Sequence, residues 1–153
     1  MSESAETIAA EPKTRTITLT DRPPVRIRED NWPMVANGYS DHYAGVEEQG
    51  EPLSVWQVWL TVRQHADGRM LCYGRATRDI DGKPDYVVRA GELYETRHSD
   101  GDLAAAVAAL RVLRAQLLSA LPTQDETQSE LLPKLLDRAQ QEALASLPAE
   151  DIG

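Results

Sequence analysis

The sequence predicts an α+β domain: an antiparallel sheet of three to five strands arranged as a meander, packed on one face by a long helix, with a further C-terminal amphipathic helix. Three observations predict it. Two D-G turns, HADGR at 65–69 and DIDGK at 79–83, separate alternating runs of apolar residues and arginine. Leu103 to Leu121 is filled with alanine and leucine and closed by Pro122. A second leucine-rich stretch, SELLPKLLDRAQQEALASL, begins at Ser129.

Taken in order, residues 1–14 carry Ser, Ala, Glu and Thr without apolar periodicity and are expected to be a flexible lead. An α+β domain is expected over 15–121, and the C-terminal amphipathic helix with its tail over 122–153. Thr16 to Leu19 reads as a strand, Asp21 to Pro24 as a turn, and Val25 to Arg28 as a second extended run whose neighbouring prolines favour an edge. In EDNWPMVANG, Asp30 or Asn31 can cap a short helix, Pro33 suits its first turn and Gly38 stops it. The acidic, glycine-bearing segment from Tyr39 to Pro52 reads as a long loop. Ser54 to Gln64, Arg69 to Arg78 and Asp85 to Leu93 are the meander strands. Ser99, Asp100 or Asp102 can cap the long helix, whose Leu103, Val107, Leu110, Leu113 or Arg114, and Leu117 share a face. The last helix carries Leu132, Leu135, Leu136, Ala139, Ala143 and Leu147 along a stripe, with Pro133 expected near its start.

Charge and cysteine usage exclude several classes. The net charge of -9 is concentrated at the two ends, while the middle is nearly neutral. An acidic total argues against broad phosphate-tracking nucleic-acid binding. A single cysteine, Cys72, forms no internal disulfide and has no partner cysteine for a thiolate-rich zinc site. The acidic N-terminus lacks the basic and apolar regions of a signal peptide, and uninterrupted apolar runs fall short of the ~18 residues of a membrane span. A cytoplasmic protein with no membrane association is expected.

If both D-G turns are three-residue loops, the register follows. Val62 faces Cys72, Leu60 faces Gly74 and Val58 faces Ala76; beyond the second turn Cys72 faces Ala90, Gly74 faces Val88 and Ala76 faces Tyr86. Alternation puts these residues on one apolar face, where the long helix is expected to pack and bury Cys72. The opposite face carries Arg63, Leu71 and Gly91, then Thr61, Tyr73 and Arg89, then Trp59, Arg75 and Val87. From this face Trp59, Thr61, Arg63, Leu71, Tyr73, Arg75, Val87 and Arg89 are the candidate binding residues. Three roles are open to them: a solvated surface tidied by cation–π pairs, a surface covered by the C-terminal helix or a second copy, or a partner or nucleic-acid surface.

Catalytic signatures are weak. His42, His65 and His98 are scattered, and His42, His98, Asp100 and Asp102 match no metal-ligand spacing. Asp41 and His42, adjacent in a loop, generally point apart. SDGD at 99–102 lacks the rest of a calcium loop and reads as helix capping. No cofactor, catalytic residue or metal site is expected.

The stretches ITLTDRPPVRIREDNWP and VRQHADGRMLCYG resemble a group of small proteins carried by phages, plasmids and integrated elements of proteobacteria, with likeness over Thr16 to Gly91. That group has no assigned activity or site residues. The resemblance implies a small regulator or inhibitor that binds a host protein, nucleic-acid mimicry of the anti-CRISPR kind being one version. The expected function is therefore a non-enzymatic protein-interaction module. A single-stranded nucleic-acid binder using the Arg/aromatic face and a small metal-dependent enzyme are the alternatives. A protein partner is expected, and the leucine stripe of the last helix offers a route to a homodimer.

Overall fold

The computed structural model describes residues 13–45, 53–95, 103–122 and 126–147. It is α+β, as the sequence predicts. β1 (Thr14–Leu19) and β2 (Arg22–Arg28) pair as a separate hairpin. β3 (Met34–Ala44), β4 (Ser54–Gln64), β5 (Met70–Ile80) and β6 (Lys83–Tyr94) form a four-stranded antiparallel meander in chain order. α1 (Leu103–Ala120) and α2 (Glu126–Ser146) pack together on one of its faces.

The first D-G turn is the expected three-residue loop: His65 N–H donates to Arg69 C=O at 2.9 Å, and Gly68 is left-handed at φ 96°. The β4–β5 register follows, with Val62 opposite Cys72 and Leu60 opposite Gly74. The second turn is tighter than expected. Ile80 pairs with Lys83, leaving Asp81 (φ 51°) and Gly82 (φ 78°) as a two-residue turn with both φ values positive, and the register shifts between Arg78 and Asp79. Cys72 therefore faces Glu92, Gly74 faces Ala90 and Ala76 faces Val88. Every partner moves by two residues, so no side chain changes face.

The segment expected as a helix and loop is the larger correction. Only Glu29–Asn31 forms a single 3-10 turn, and Met34 to Ala44 is strand β3. Its inward residues are Ala36, Gly38 and Ser40, all buried, while Asn37, Tyr39 and Asp41 alternate outward. Small inward side chains mask the usual apolar alternation and let α2 approach the strand. Residues 46–52 of the expected loop lie outside the described residues. The first turn is also tighter: Leu19 pairs with Arg22, Asp21 takes φ 58°, and Pro23 and Pro24 lie within edge strand β2.

The main core joins Val58, Leu60, Val62, Met70, Cys72 and Ala76 to Leu110, Leu113 and Leu117 of α1 and Leu132, Leu135, Leu136, Ala139 and Ala143 of α2. By length and composition α1 alone among the described helices is apolar enough to cross a membrane, yet its stripe packs in this core. α2 begins earlier than expected, so Pro133 lies inside it rather than in its first turn, at the loss of one backbone hydrogen bond. The leucine stripe of α2 is spent within the chain itself.

Burial pushes the Cys72 thiol well up from its ordinary value, because a thiolate there would be desolvated. Native protein is expected to react with a disulfide reagent at least roughly a hundredfold more slowly than the unfolded chain, since labelling requires opening. Labelling of the folded protein at the rate of a free thiol would contradict this packing.

Candidate interaction cleft

The other face of the meander carries the candidate residues in corrected rows. Arg63, Leu71 and Leu93 form one; Asn37, Thr61, Tyr73 and Gly91 the next; then Tyr39, Trp59, Arg75 and Arg89; then Asp41, Gln57, Thr77 and Val87. Arg75 and Arg89 are thus directly opposite one another on adjacent strands.

Part of this face is covered, but not by the C-terminal helix, which sits on the opposite side. The cover is the β1–β2 hairpin. Ile17 and Leu19 alternate inward along β1, and with Ile27 and Trp32 they close over Leu71 to form a second core. Thr20 N–H donates to Gly91 C=O at 2.8 Å, and Gly91 N–H donates to Thr20 Oγ1 at 3.1 Å. At the far end of β1, Arg15 Nε donates to Glu29 Oε1 at 2.6 Å, and Arg63 lies 3.7 Å from the same carboxylate. β1 therefore runs across the meander from the β4 side to β6.

The Arg15 guanidinium holds the Glu29 carboxyl below its usual range. A depressed carboxylate stabilises the fold above its unfolded pKa, and that contribution is lost as pH falls through the folded value. Glu29 thereby ties the hairpin down near neutrality.

Between the edge of β1 and the uncovered half of the sheet lies a cleft of about 460 Å³. Arg15, Arg63, Arg75 and Arg89 line it, with Trp59 and Thr16 among the remaining wall residues. Each of the chain's three tryptophans lies beneath an arginine: Trp32 under Arg69, Trp56 under Arg78, and Trp59 under Arg75 with the guanidinium 4.2 Å from the ring centroid. Arg69 and Arg78 are each also paired with a carboxylate, Asp67 and Asp85. Among the described residues Arg75 and Arg89 have none. Two unanswered like charges facing each other across a strand pair are destabilising unless an anion joins them.

The predicted residues divide into two groups. Trp59, Arg75, Val87 and Arg89 are reachable on the open half. Leu71 is fully buried beneath the hairpin and Arg63 nearly so, fixed by Nε donation to Tyr73 Oη at 2.8 Å and by donation to Trp32 C=O at 3.0 Å. Tyr73 is half-buried in the same contact, and Thr61 is buried, its Oγ1 donating to Asn37 Oδ1 at 3.0 Å. Thr61, Arg63 and Tyr73 line the cleft, while Leu71 lies beneath the hairpin. Arg15, Thr16, Asn37 and Tyr39 were missed by sequence reasoning, because β1 crosses the sheet and β3 read as a loop. Tyr39 packs against Trp59 at 5.2 Å and donates to Asp41 Oδ2 while accepting from Gln57. Burial raises its phenol, which keeps it a donor.

His42 lies on β3 opposite Trp56, with Asp41 on the other face. His98, Asp100 and Asp102 lie outside the described residues. Among the described residues, no three His, Cys, Asp or Glu side chains are grouped to hold a metal ion. Comparison with models of protein families, with curated proteins and with solved structures gives no match.

Proposed function

We propose that the chain is a non-enzymatic protein-interaction module that docks an acidic surface of a partner protein into this cleft. The observation that carries the reading is the Arg75/Arg89 pair: exposed, adjacent, and without a carboxylate among the described residues. Arg75 rests over Trp59, so less side-chain entropy remains to be lost when it meets an anion. With the resemblance to mobile-element proteins in support, we further propose that such a module acts as a regulator or inhibitor of a host protein in the cytoplasm.

Four arginines around an aromatic cleft also favour a second reading, single-stranded nucleic-acid binding. That reading needs open ring faces for bases. Trp59 is capped by Arg75 and flanked by Tyr39, and Tyr73 is tied to Arg63 beneath the hairpin. Arg75 and Arg89 are exposed and the rings are engaged, which favours carboxylates over bases.

The test is a tagged pull-down from lysate of a related bacterium after nuclease treatment, with wild type beside Arg89→Glu. Wild type is expected to retain a protein that Arg89→Glu loses. The variant replaces a repulsive cross-strand pair with an attractive one, so it should unfold with unchanged or slightly higher stability, by about 0.5 kcal/mol. Retention abolished by nuclease would favour nucleic acid, and a marked loss of stability would show that Arg89 serves the fold.

A further inference from the structure

The wall of the cleft carries a feature separate from its arginines. In the β1–β2 ladder, Glu29 N–H donates to Lys13 C=O at 3.0 Å, and Arg15 and Ile17 pair with Ile27 and Val25. Hydrogen-bonded pairs alternate along an antiparallel ladder, so Lys13, Arg15 and Ile17 turn their backbone groups toward β2. Thr14 and Thr16 then turn theirs the other way, toward the cleft. Among the described residues Thr16 N–H and C=O take no part in the backbone hydrogen bonds outside the ladder. Among the described residues β1 is thus an edge strand whose outer backbone is unpaired and forms one side of a cationic cleft.

From this we infer, resting on the acidic-partner reading above, that the partner segment is an extended acidic strand that adds to the outer edge of β1. The spacings agree. β1 passes over Gly91, where Thr18 C=O stands against it, and Arg75 and Arg89 lie two residues beyond Tyr73 and Gly91 along their strands, about 7 Å away. A strand added to β1 lies about 4.8 Å to its side, between the two rows and within side-chain reach of the second. Because β1 crosses the meander, the added strand also crosses it, and alternate side chains point down onto Trp59, Arg75 and Arg89.

The same arithmetic defines the sequence this edge accepts. Neighbouring strands are about 4.8 Å apart, and successive inward residues of an extended peptide are about 7 Å apart. A carboxylate seated between Arg75 and Arg89 puts the next inward residue above β4, beside the Trp59 ring that Arg75 caps. The preferred segment therefore has Glu or Asp at one position and an apolar residue two positions away, the backbone supplying affinity and the inward pair supplying selection.

The probe is an acetylated peptide of roughly eight residues with glutamate and valine at alternate inward positions, compared with a helix-forming peptide of equal charge and with oligothymidylate. Binding is followed by NMR titration up to about 1 mM, with hydrogen exchange read at individual amides. The extended peptide is expected to bind and to slow exchange of the Thr16 N–H about tenfold, with Arg75→Glu abolishing binding. Thr16→Pro, which removes an N–H that β2 does not use, is expected to weaken it about tenfold. Arginine-dependent binding with Thr16 exchange unchanged overturns strand addition and leaves the acidic-partner reading standing. Binding of the helical peptide alone does the same. Failure of both peptides overturns the two readings together, and binding of oligothymidylate alone transfers the cleft to nucleic acid.

Discussion

Replacing Gly38 with valine is expected to destabilise the protein by about 3 kcal/mol or more, which for a chain of this size lowers the melting temperature by roughly 10 °C. A Cβ at this position would stand 1.9 Å from the carbonyl oxygen of Ala139 and 2.7 Å from the backbone nitrogen of Ala143. Both are backbone atoms of α2, so no rotamer change relieves the clash. The helix must move off β3, and Leu132, Leu135 and Leu136 lose their seats in the core. Asn37 N–H also donates to Ser146 Oγ at 2.9 Å, a contact that fails if the helix retreats. Chemical denaturation checks the result; a variant within 1 kcal/mol of wild type would mean that α2 does not sit this close to the strand.

The second large effect is local. Gly91→Val is expected to displace the β1–β2 hairpin and destroy the cleft while leaving the helix-covered core in place. Its Cβ would meet the carbonyl oxygen of Thr18 at 2.5 Å, with Leu19 and Tyr73 also crowded at 3.2 Å. The side chain points away from α1 and α2, and its closest clash is with the hairpin backbone, so the strain falls chiefly on the hairpin. Hydrogen exchange should show lost protection in residues 14–28 and retained protection in β4, β5 and α1, at a cost of about 1–3 kcal/mol. Ligand binding should vanish together with the hairpin's protection. Uniform loss of protection would mean that the two cores unfold as one unit.

These two glycines show why some elements were legible and others were not. The meander announced itself through two D-G turns and alternating strands, and even the error in the second turn left every side chain on its expected face, because the slip was an even number of residues. The helices announced themselves through leucine at helical spacing. β3 hid because Ala36, Gly38 and Ser40 carry no hydrophobic signal; they are small to admit the backbone of α2, a requirement set by a segment about a hundred residues later in the chain. Half of the candidate site was legible for the same reason as the strands: Trp59, Arg75 and Arg89 follow from alternation. Its other half, Arg15 and the open edge of β1, follows from where the hairpin lands.

Local chemistry alone thus determined the α+β class, the meander, the inward and outward faces and the burial of Cys72, because turns, periodicity and propensity act between near neighbours. Tertiary structure alone decided which element covers each face. The stripe of α2 and the inward side of the β1–β2 hairpin are both apolar and suited to cover a sheet. Small residues on β3 gave one face to α2, and the absence of a side chain at Gly91 gave part of the other to the hairpin. Hydrophobic burial is non-directional; the close approach of backbones is what selects between such partners.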